Sequence, residues 1–347
     1  MLVPLIIAGG GGTRLYPVSR ESRPKQLMRI VSDRTMVQEA FERVQGLAPC
    51  ERIYVATTQV LSEPIRDQVP DVPAENYIIE PVGRDTGPSI AYASLRIRQR
   101  YPEAVVAVVS ADHVILPVSR FHQVVRHAAE VARLTHGLVT MGVPPTRPET
   151  GYGYIRPGER HDGFRDVARF TEKPDRDTAE RFVAEGYYWN SGMFVWEVAA
   201  ICEALNRHLP DVYDGVRRIV EGGEPAEEVF PKLRRVSIDF GVMEKAANAY
   251  VVEADFLWDD VGTWTSLERV MESDESQNVV RGDFVPIDAS DCIVHSEDGI
   301  VAAIGVSDLV IVKTADVVLV CHKSRNQEVK ELVQLLKADP ARRKYVE

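Results

Sequence analysis

Four consecutive glycines, Gly9 to Gly12, follow the apolar run that opens the chain. Cations crowd the residues after them: Arg14, Arg20, Arg23, Lys25 and Arg29, against the one carboxylate of Glu21. Without Cβ atoms, a glycine backbone approaches a ligand closely and presents N–H donors to phosphate oxygens. Glycine loop, preceding strand and clustered cations together describe a phosphate-binding loop. Two familiar versions do not fit. A dinucleotide fingerprint starting at Gly9 or Gly10 would need glycine at Arg14 or Leu15, and a P-loop would need glycine followed by Lys and Ser or Thr. The carboxylates suited to serve such a loop stand far off in sequence. Asp112 ends an apolar run, Ala104–Ser110, and Asp260 lies beside Gly262 between Trp258 and Trp264. Two carboxylates from distant segments suit a hard divalent cation, with phosphate oxygens and water completing its shell. Asp112 can equally cap the turn after its strand, and Asp259 competes with Asp260. The eight histidines contain no H-E-x-x-H pair or close cluster, so zinc is not expected. Cys50, Cys202, Cys292 and Cys321 form no C-x-x-C and read as reduced thiols.

These residues need elements to hold them. The chain has 347 residues, 45% hydrophobic and 27% charged, enough for one large domain or two. Its net charge of −11 argues against a nucleic-acid binder, while a local basic loop can still take phosphate. Leu2–Ala8 reads as a buried first strand rather than a signal peptide, and no stretch is long enough to span a membrane. A cytoplasmic protein is expected. Further strands are predicted at Arg52–Thr58, Asn76–Glu80, Ala104–Ser110 and Gly137–Val143, with helices at Met36–Leu47, Pro88–Arg100 and Phe121–Thr135. This alternation predicts an α/β fold, a Rossmann-like and mostly parallel sheet flanked by helices. Past residue 150 a hairpin begins near Gly151. Strands follow at Val167–Thr171, Gly192–Trp196 and Ala249–Ala254, among helices around 178–185, 198–206, 213–222 and 265–271. Short β segments fill 278–322 and a helix closes the chain at 326–337. The reading is a catalytic domain over 1–275 and a small β-rich C-terminal domain over 276–347. Apolar runs in that tail are open to packing on the main domain or on a second copy, a homodimer.

The stretch from Gly9 to Gln26 resembles the signature of the sugar-nucleotide pyrophosphorylases, G-G-x-G-T-R-L-x-P-x-S-R-x-x-x-P-K-Q, at every specified position. Its Ser-Arg and Pro-Lys-Gln are most similar to the mannose-1-phosphate guanylyltransferases. Five further segments resemble family motifs in the same order: 80–86 (EPVGRDT), 111–113 (ADH), 170–174 (FTEKP), 189–194 (WNSGMF) and 258–264 (WDDVGTW). Ser110 stands where the family often has proline. The histidine-rich isomerase site of some longer members is not seen here, and no isomerase activity is expected.

The resemblance implies transfer of GMP from GTP to mannose 1-phosphate with Mg²⁺ as cofactor. It implies nucleotide binding by Ala8, Gly9, Gly10, Gly11, Gly12, Thr13, Arg14, Glu80, Arg84, Thr86 and Asp112. Arg14 and Lys25 would be catalytic, with Asp112 and Asp260 as the metal ligands. Gly153, Glu172, Lys173, Asn190 and Asp260 would hold the sugar phosphate. Glu172 and Asn190 can accept from and donate to vicinal hydroxyls, or serve as structural partners. Asp239 reads as support. An ionised Glu80 could accept both N1–H and N2–H₂ of guanine, a donor pair that adenine lacks, or could pair with Arg84 instead. The sugar phosphate is already anionic, so neither general base nor covalent intermediate is required. The rivals are a pyrophosphorylase of glucose 1-phosphate with dTTP or UTP, and a non-catalytic relative that senses sugar nucleotides. The second would be expected to lack Arg14, Lys25 or one of the aspartates.

Overall fold

The computed structural model describes every residue except Gly11 and Thr13, so the expectations for those two lie outside the described residues. The chain forms two compact units, each drawn from separate stretches of sequence. The first takes Met1–Gly9, Ala40–Ala111 and Ile115–Trp258; the second takes Gly10–Glu39, Asp112–Val114 and Asp259–Glu347.

The first unit is built on a nine-stranded sheet. Its strands are β1 (Leu2–Ile7), β2 (Tyr54–Thr58), β3 (Tyr77–Glu80), β4 (Val105–Ser110), β6 (Leu138–Val143), β7 (Gly153–Arg160), β8 (Arg165–Glu172), β9 (Tyr188–Glu197) and β10 (Ala249–Glu253). Two short strands, β5 (Val114–Leu116) and β11 (Leu257–Asp259), pair with each other and carry two of the five points at which the chain passes from one unit to the other. The sheet order is β3-β2-β1-β4-β9-β6-β10-β8-β7. From β3 to β4 it is parallel, as expected from unbroken apolar strands. Beyond β4 it is mixed. β9 runs antiparallel to β4 and β6, and the β7–β8 hairpin is joined by too few residues for a parallel crossover.

Register aligns the strand ends. Ile7 stands opposite Ser110 and Ala56, and Thr58 stands opposite Glu80, so the parallel strands end along one edge. Successive residues face opposite sides. Val3, Leu5, Val106 and Val108 pack in one cluster with α3 (Thr86–Arg100), α6 (Val198–His208) and α7 (Pro210–Val220). The opposite face carries α4 (Val118–Thr135), packed on β4, β6 and β9. The helix α1 (Met36–Gln45) forms where the sequence predicts it; α2 (Gln59–Gln68) was not expected. Pro64 inside α2 argues against a helix in sequence, but buried Leu61 and Ile65 on one face hold it. The short helices α5 (Arg176–Ala184) and α8 (Ala226–Val229) complete this unit.

In the second unit β12 (Val279–Ile287), β13 (Ile293–Ile304) and β14 (Leu309–Lys313) form a parallel ladder, and β15 (Val318–His322) closes it antiparallel. Inward residues Val279, Ile293, Val310 and Val312 share a core with Leu15, Tyr16, Met28, Trp264, and Val329 and Val333 of α10 (Val329–Ala338). A short turn of helix, α9 (Leu267–Val270), follows Trp264. The residues after the glycine loop are therefore anchored by the chain's β-rich tail. Arg20 reinforces this with a bidentate pair to Asp316 and a bond from Nε to the Pro17 carbonyl at 3.0 Å. That guanidinium holds the Asp316 carboxyl down at about 2.

Candidate active site

A cavity of about 420 Å³ in the second unit is lined by Gly12, Arg14, Leu15, Lys25, Asp112, Asp260, Val261, Gly262 and Lys330. Four separate stretches of sequence meet there, and the predicted catalytic residues Arg14, Lys25, Asp112 and Asp260 are all among them. Lys25 ties two of these stretches together. Buried at 6% exposure, its ammonium donates to the Asp112 carbonyl at 2.7 Å, to Asp112 Oδ2 at 3.0 Å, and to the Asp260 carbonyl. It therefore neutralises the Asp112 carboxylate and holds the Asp260 main chain to the same ammonium.

The sequence left Asp259 and Asp260 as alternatives; their partners separate them. Asp259 is buried, with Oδ2 accepting from Arg269 Nε at 2.6 Å and Oδ1 from the Val261 N–H at 2.8 Å. Asp260 lines the cavity and accepts from the Gly262 N–H at 3.1 Å. Between them Val261 sits at φ 43°, a left-handed conformation that a β-branched residue adopts only under constraint, at a cost of about 1–3 kcal/mol. The constraint is visible: Val261 is fully buried, and Trp264, also fully buried, donates its indole N–H to the Tyr16 carbonyl at 3.0 Å. As for a metal, Asp112 and Asp260 offer the hard oxygen donors that magnesium prefers. Among the described residues no cluster of three or more His, Cys, Asp or Glu could hold an ion by itself, so phosphate oxygens and water would have to complete its shell.

Of the other predicted nucleotide residues, Ala8, Gly9, Glu80, Arg84 and Thr86 lie in the first unit and Gly10 in the second. Ala8 is buried, its N–H bonded to the Ala56 carbonyl and its carbonyl to the Thr57 hydroxyl. Gly10, at φ 118°, accepts from Gln26 within the second unit. Glu80 is buried at the end of β3, and burial pushes its carboxyl up to about 7 against the opposing pull of the Ser89 hydroxyl. Arg84 and Thr86 have protein partners. The Arg84 guanidinium donates to the Pro231 carbonyl, and the Thr86 hydroxyl accepts from the Ile238 N–H at 2.9 Å. Gly87 donates to the Val236 carbonyl so closely that a Cβ there would meet that oxygen at 2.6 Å. Thus 84–87 clamp the segment 231–238 to the start of α3, which is capped by the Asp85 carboxylate.

The predicted sugar residues form one cluster in the first unit. β7–β8 pairing sets Gly153 opposite Glu172, and a Cβ on Gly153 would lie 2.3 Å from Glu172 Oε2 and 3.3 Å from Asn190 Cβ. Only glycine leaves that carboxylate its place. Lys173, at φ 47°, pairs with Glu172 at 2.8 Å. Asn190 donates to Asp239 at 2.7 Å and accepts from Gly192 N–H at 3.2 Å. Burial, then the charge of Glu172, raises the Asp239 carboxyl to about 6, while the Asn190 bond opposes the shift. Tyr152, Trp189 and Trp258 make edge contacts beside this cluster, with Arg147 over Trp189. All three aromatic rings are buried, so they support the strands rather than offer a sugar-stacking face. The cavity residue that sequence reading missed is Lys330 on α10; no motif marks it.

A glycine loop after the first strand of a mixed α/β sheet, and a cavity lined by cations and two aspartates, are features of the nucleotidyltransferase class. The nucleotidyl transferase family model matches residues 3–277, and a model described as a mannose-phosphate isomerase and GMP-like β-helix domain matches 282–336. The chain is 40% identical to the mannose-1-phosphate guanylyltransferase of Klebsiella pneumoniae and 39% to that of Escherichia coli K12, in each case over 97% of this chain and 74% of the relative. A crystal structure from Thermus thermophilus, described as a mannose-1-phosphate geranyltransferase, superposes with a TM-score of 0.92 at 37% identity, covering 97% of this chain and 99% of that one. A Helicobacter pylori structure described as a mannose-6-phosphate isomerase, 24% identical over 74% of this chain and 99% of its own, shares the fold with a TM-score of 0.61. The chain belongs to the mannose-1-phosphate guanylyltransferase family.

Proposed function

We propose that the protein transfers GMP from GTP to α-D-mannose 1-phosphate, giving GDP-mannose and pyrophosphate. The observation that carries this reading is the convergence of Gly12, Arg14, Lys25, Asp112 and Asp260 on one cavity. An oxygen of the sugar phosphate attacks the α-phosphorus of GTP in line. The new P–O bond forms as the bond to the β-phosphate oxygen breaks, and pyrophosphate leaves with the electron pair. The nucleophile is an anion, so no proton has to move. Arg14 holds the triphosphate and neutralises charge developing on the leaving group. Lys25 aligns the Asp112 and Asp260 segments and sits ready to contact phosphate. Magnesium held by Asp112 and Asp260 would supply charge neutralisation at the phosphates. Glu172, Lys173, Asn190 and Gly153 take the sugar phosphate, and Glu80 reads guanine. The names of the relatives support mannose 1-phosphate and the guanylyl group as substrates. No helix among the described residues is long and apolar enough to cross a membrane and all four cysteines are free thiols, which supports a cytoplasmic location.

Incubation with GTP, mannose 1-phosphate and magnesium should give GDP-mannose and pyrophosphate in equal amounts, and a chelator should stop both. Full turnover in the chelator would remove the metal from the account. Release of inorganic phosphate without GDP-mannose would remove the reaction itself.

A further inference from the structure

We infer that Lys330 is a further polyphosphate-binding residue: its ammonium holds the β,γ end of the triphosphate and then the departing pyrophosphate. The inference rests on the reading of the cavity as the triphosphate site. Lys330 lines that cavity together with Gly12 and Arg14 of the glycine loop, although it comes from the segment matched by the β-helix family model. Its neighbours in the tail show what an ordinary surface cation does here. Lys323 pairs with Glu268 and Asp291, Arg325 with Glu328, Lys337 with Glu21, Arg342 with Asp339 and Arg343 with Glu347. Among the described residues the Lys330 side chain makes no ion pair or hydrogen bond, and the same holds for the exposed side chain of Arg14, which lines the same cavity. Two cations without an ion-pair partner, lining one cavity, favour an anion there.

Charge balance points to the terminal phosphates. Arg14, Lys25 and Lys330 against Asp112 and Asp260 give the cavity a net charge of +1. A bound divalent cation raises this to about +3, opposite a triphosphate of about −4. Lys25 is already bonded to Asp112 and to the Asp260 segment. The unpartnered pair, Arg14 and Lys330, is what remains to meet the oxygens that carry charge away when the α–β bond breaks. Lysine suits a departing group, since a flexible point charge can follow it.

The test uses the full-length protein with Lys330→Met and Lys330→Arg, and two readouts. Calorimetry with magnesium pyrophosphate as the only ligand should show Kd raised roughly five- to twentyfold in Lys330→Met and within about twofold of wild type in Lys330→Arg, the size expected of one exposed charge-assisted contact. In turnover, KM for GTP and, in reverse, KM for pyrophosphate should rise in Lys330→Met while KM for mannose 1-phosphate stays put. Equal pyrophosphate affinity in wild type and Lys330→Met would overturn the inference. So would a loss as large in Lys330→Arg as in Lys330→Met, which would mean packing rather than charge. If wild type binds pyrophosphate and loses it in Lys330→Met but forms no GDP-mannose, the substrate reading fails and the Lys330 site stands. If wild type binds no pyrophosphate, both fall.

Discussion

The Glu80 carboxyl, pushed up to about 7 by burial, ionises within the working pH range. Its folded value lies above the unfolded one, so its contribution to stability is complete below about pH 4.5 and is lost as pH rises through about 7. Glu80→Gln should therefore gain stability relative to wild type between pH 5 and 8, by up to roughly 3 kcal/mol, in thermal melts across that range. A pH-independent difference would contradict this origin. The same ionisation bears on base choice. Guanine donors favour the carboxylate, so KM for GTP should rise below about pH 7 in wild type and lose that dependence in Glu80→Gln. The variant should also narrow the GTP/ATP ratio of kcat/KM by roughly tenfold or more, since an unpaired buried carboxylate facing adenine costs about 1–3 kcal/mol. An unchanged ratio would place guanine recognition elsewhere. The paired aspartates give a second contrast. Asp260→Asn should cut kcat at least about a hundredfold with little change in Tm. Asp259→Asn should chiefly lower Tm, because Arg269 loses a buried partner at a cost of about 1–3 kcal/mol. Similar Tm losses in both variants would show that the division of roles is wrong. Sequence could name both aspartates but could not separate them. The difference lies in where Arg269 and the Val261 N–H turn: Arg269 stands outside the pattern that marks the site, and the pattern does not say which carboxylate the Val261 N–H meets.

At the scale of elements, the β7–β8 register is what sets Glu172 opposite a glycine. Gly153→Ala puts a methyl where Glu172 Oε2 now lies, 2.3 Å from that oxygen, and the flexible carboxylate must move aside. We expect KM for mannose 1-phosphate to rise about tenfold, as for one lost charge-assisted bond, with KM for GTP and the Tm almost unchanged. A fall in Tm without a change in KM would make Gly153 a packing residue only. Elements with strong apolar patterns were legible: β1 and β4 as unbroken runs, α4 and α10 as amphipathic helices. Those that were missed lacked such a pattern or contradicted it. Pro64 hides α2; the strand at Gly192–Trp196 was predicted, within β9, but its antiparallel direction comes from its pairing partners, which no local run of residues encodes. Lys330 was invisible for a related reason. A lone lysine on an amphipathic helix looks like a solvated face until the fold brings α10 to the cavity.

For the whole molecule, contacts join the glycine-loop segment, the Asp112 turn and the β-rich tail in one compact unit, although they lie in three stretches of chain. Chain order alone suggests a linear boundary near residue 275 and says nothing of which stretches pack together. The motifs nonetheless marked the cavity, because charge and phosphate geometry demand residue types that a motif can carry, whereas packing accepts many. Steady-state pyrophosphate release separates guanylyl transfer to mannose 1-phosphate from its rivals. The assay sets GTP, ATP, UTP and dTTP each against mannose 1-phosphate and glucose 1-phosphate, with magnesium. The highest kcat/KM is expected for GTP with mannose 1-phosphate, at least about tenfold above every other pair. A higher value for glucose 1-phosphate with dTTP or UTP, or no pyrophosphate from any pair, would contradict it.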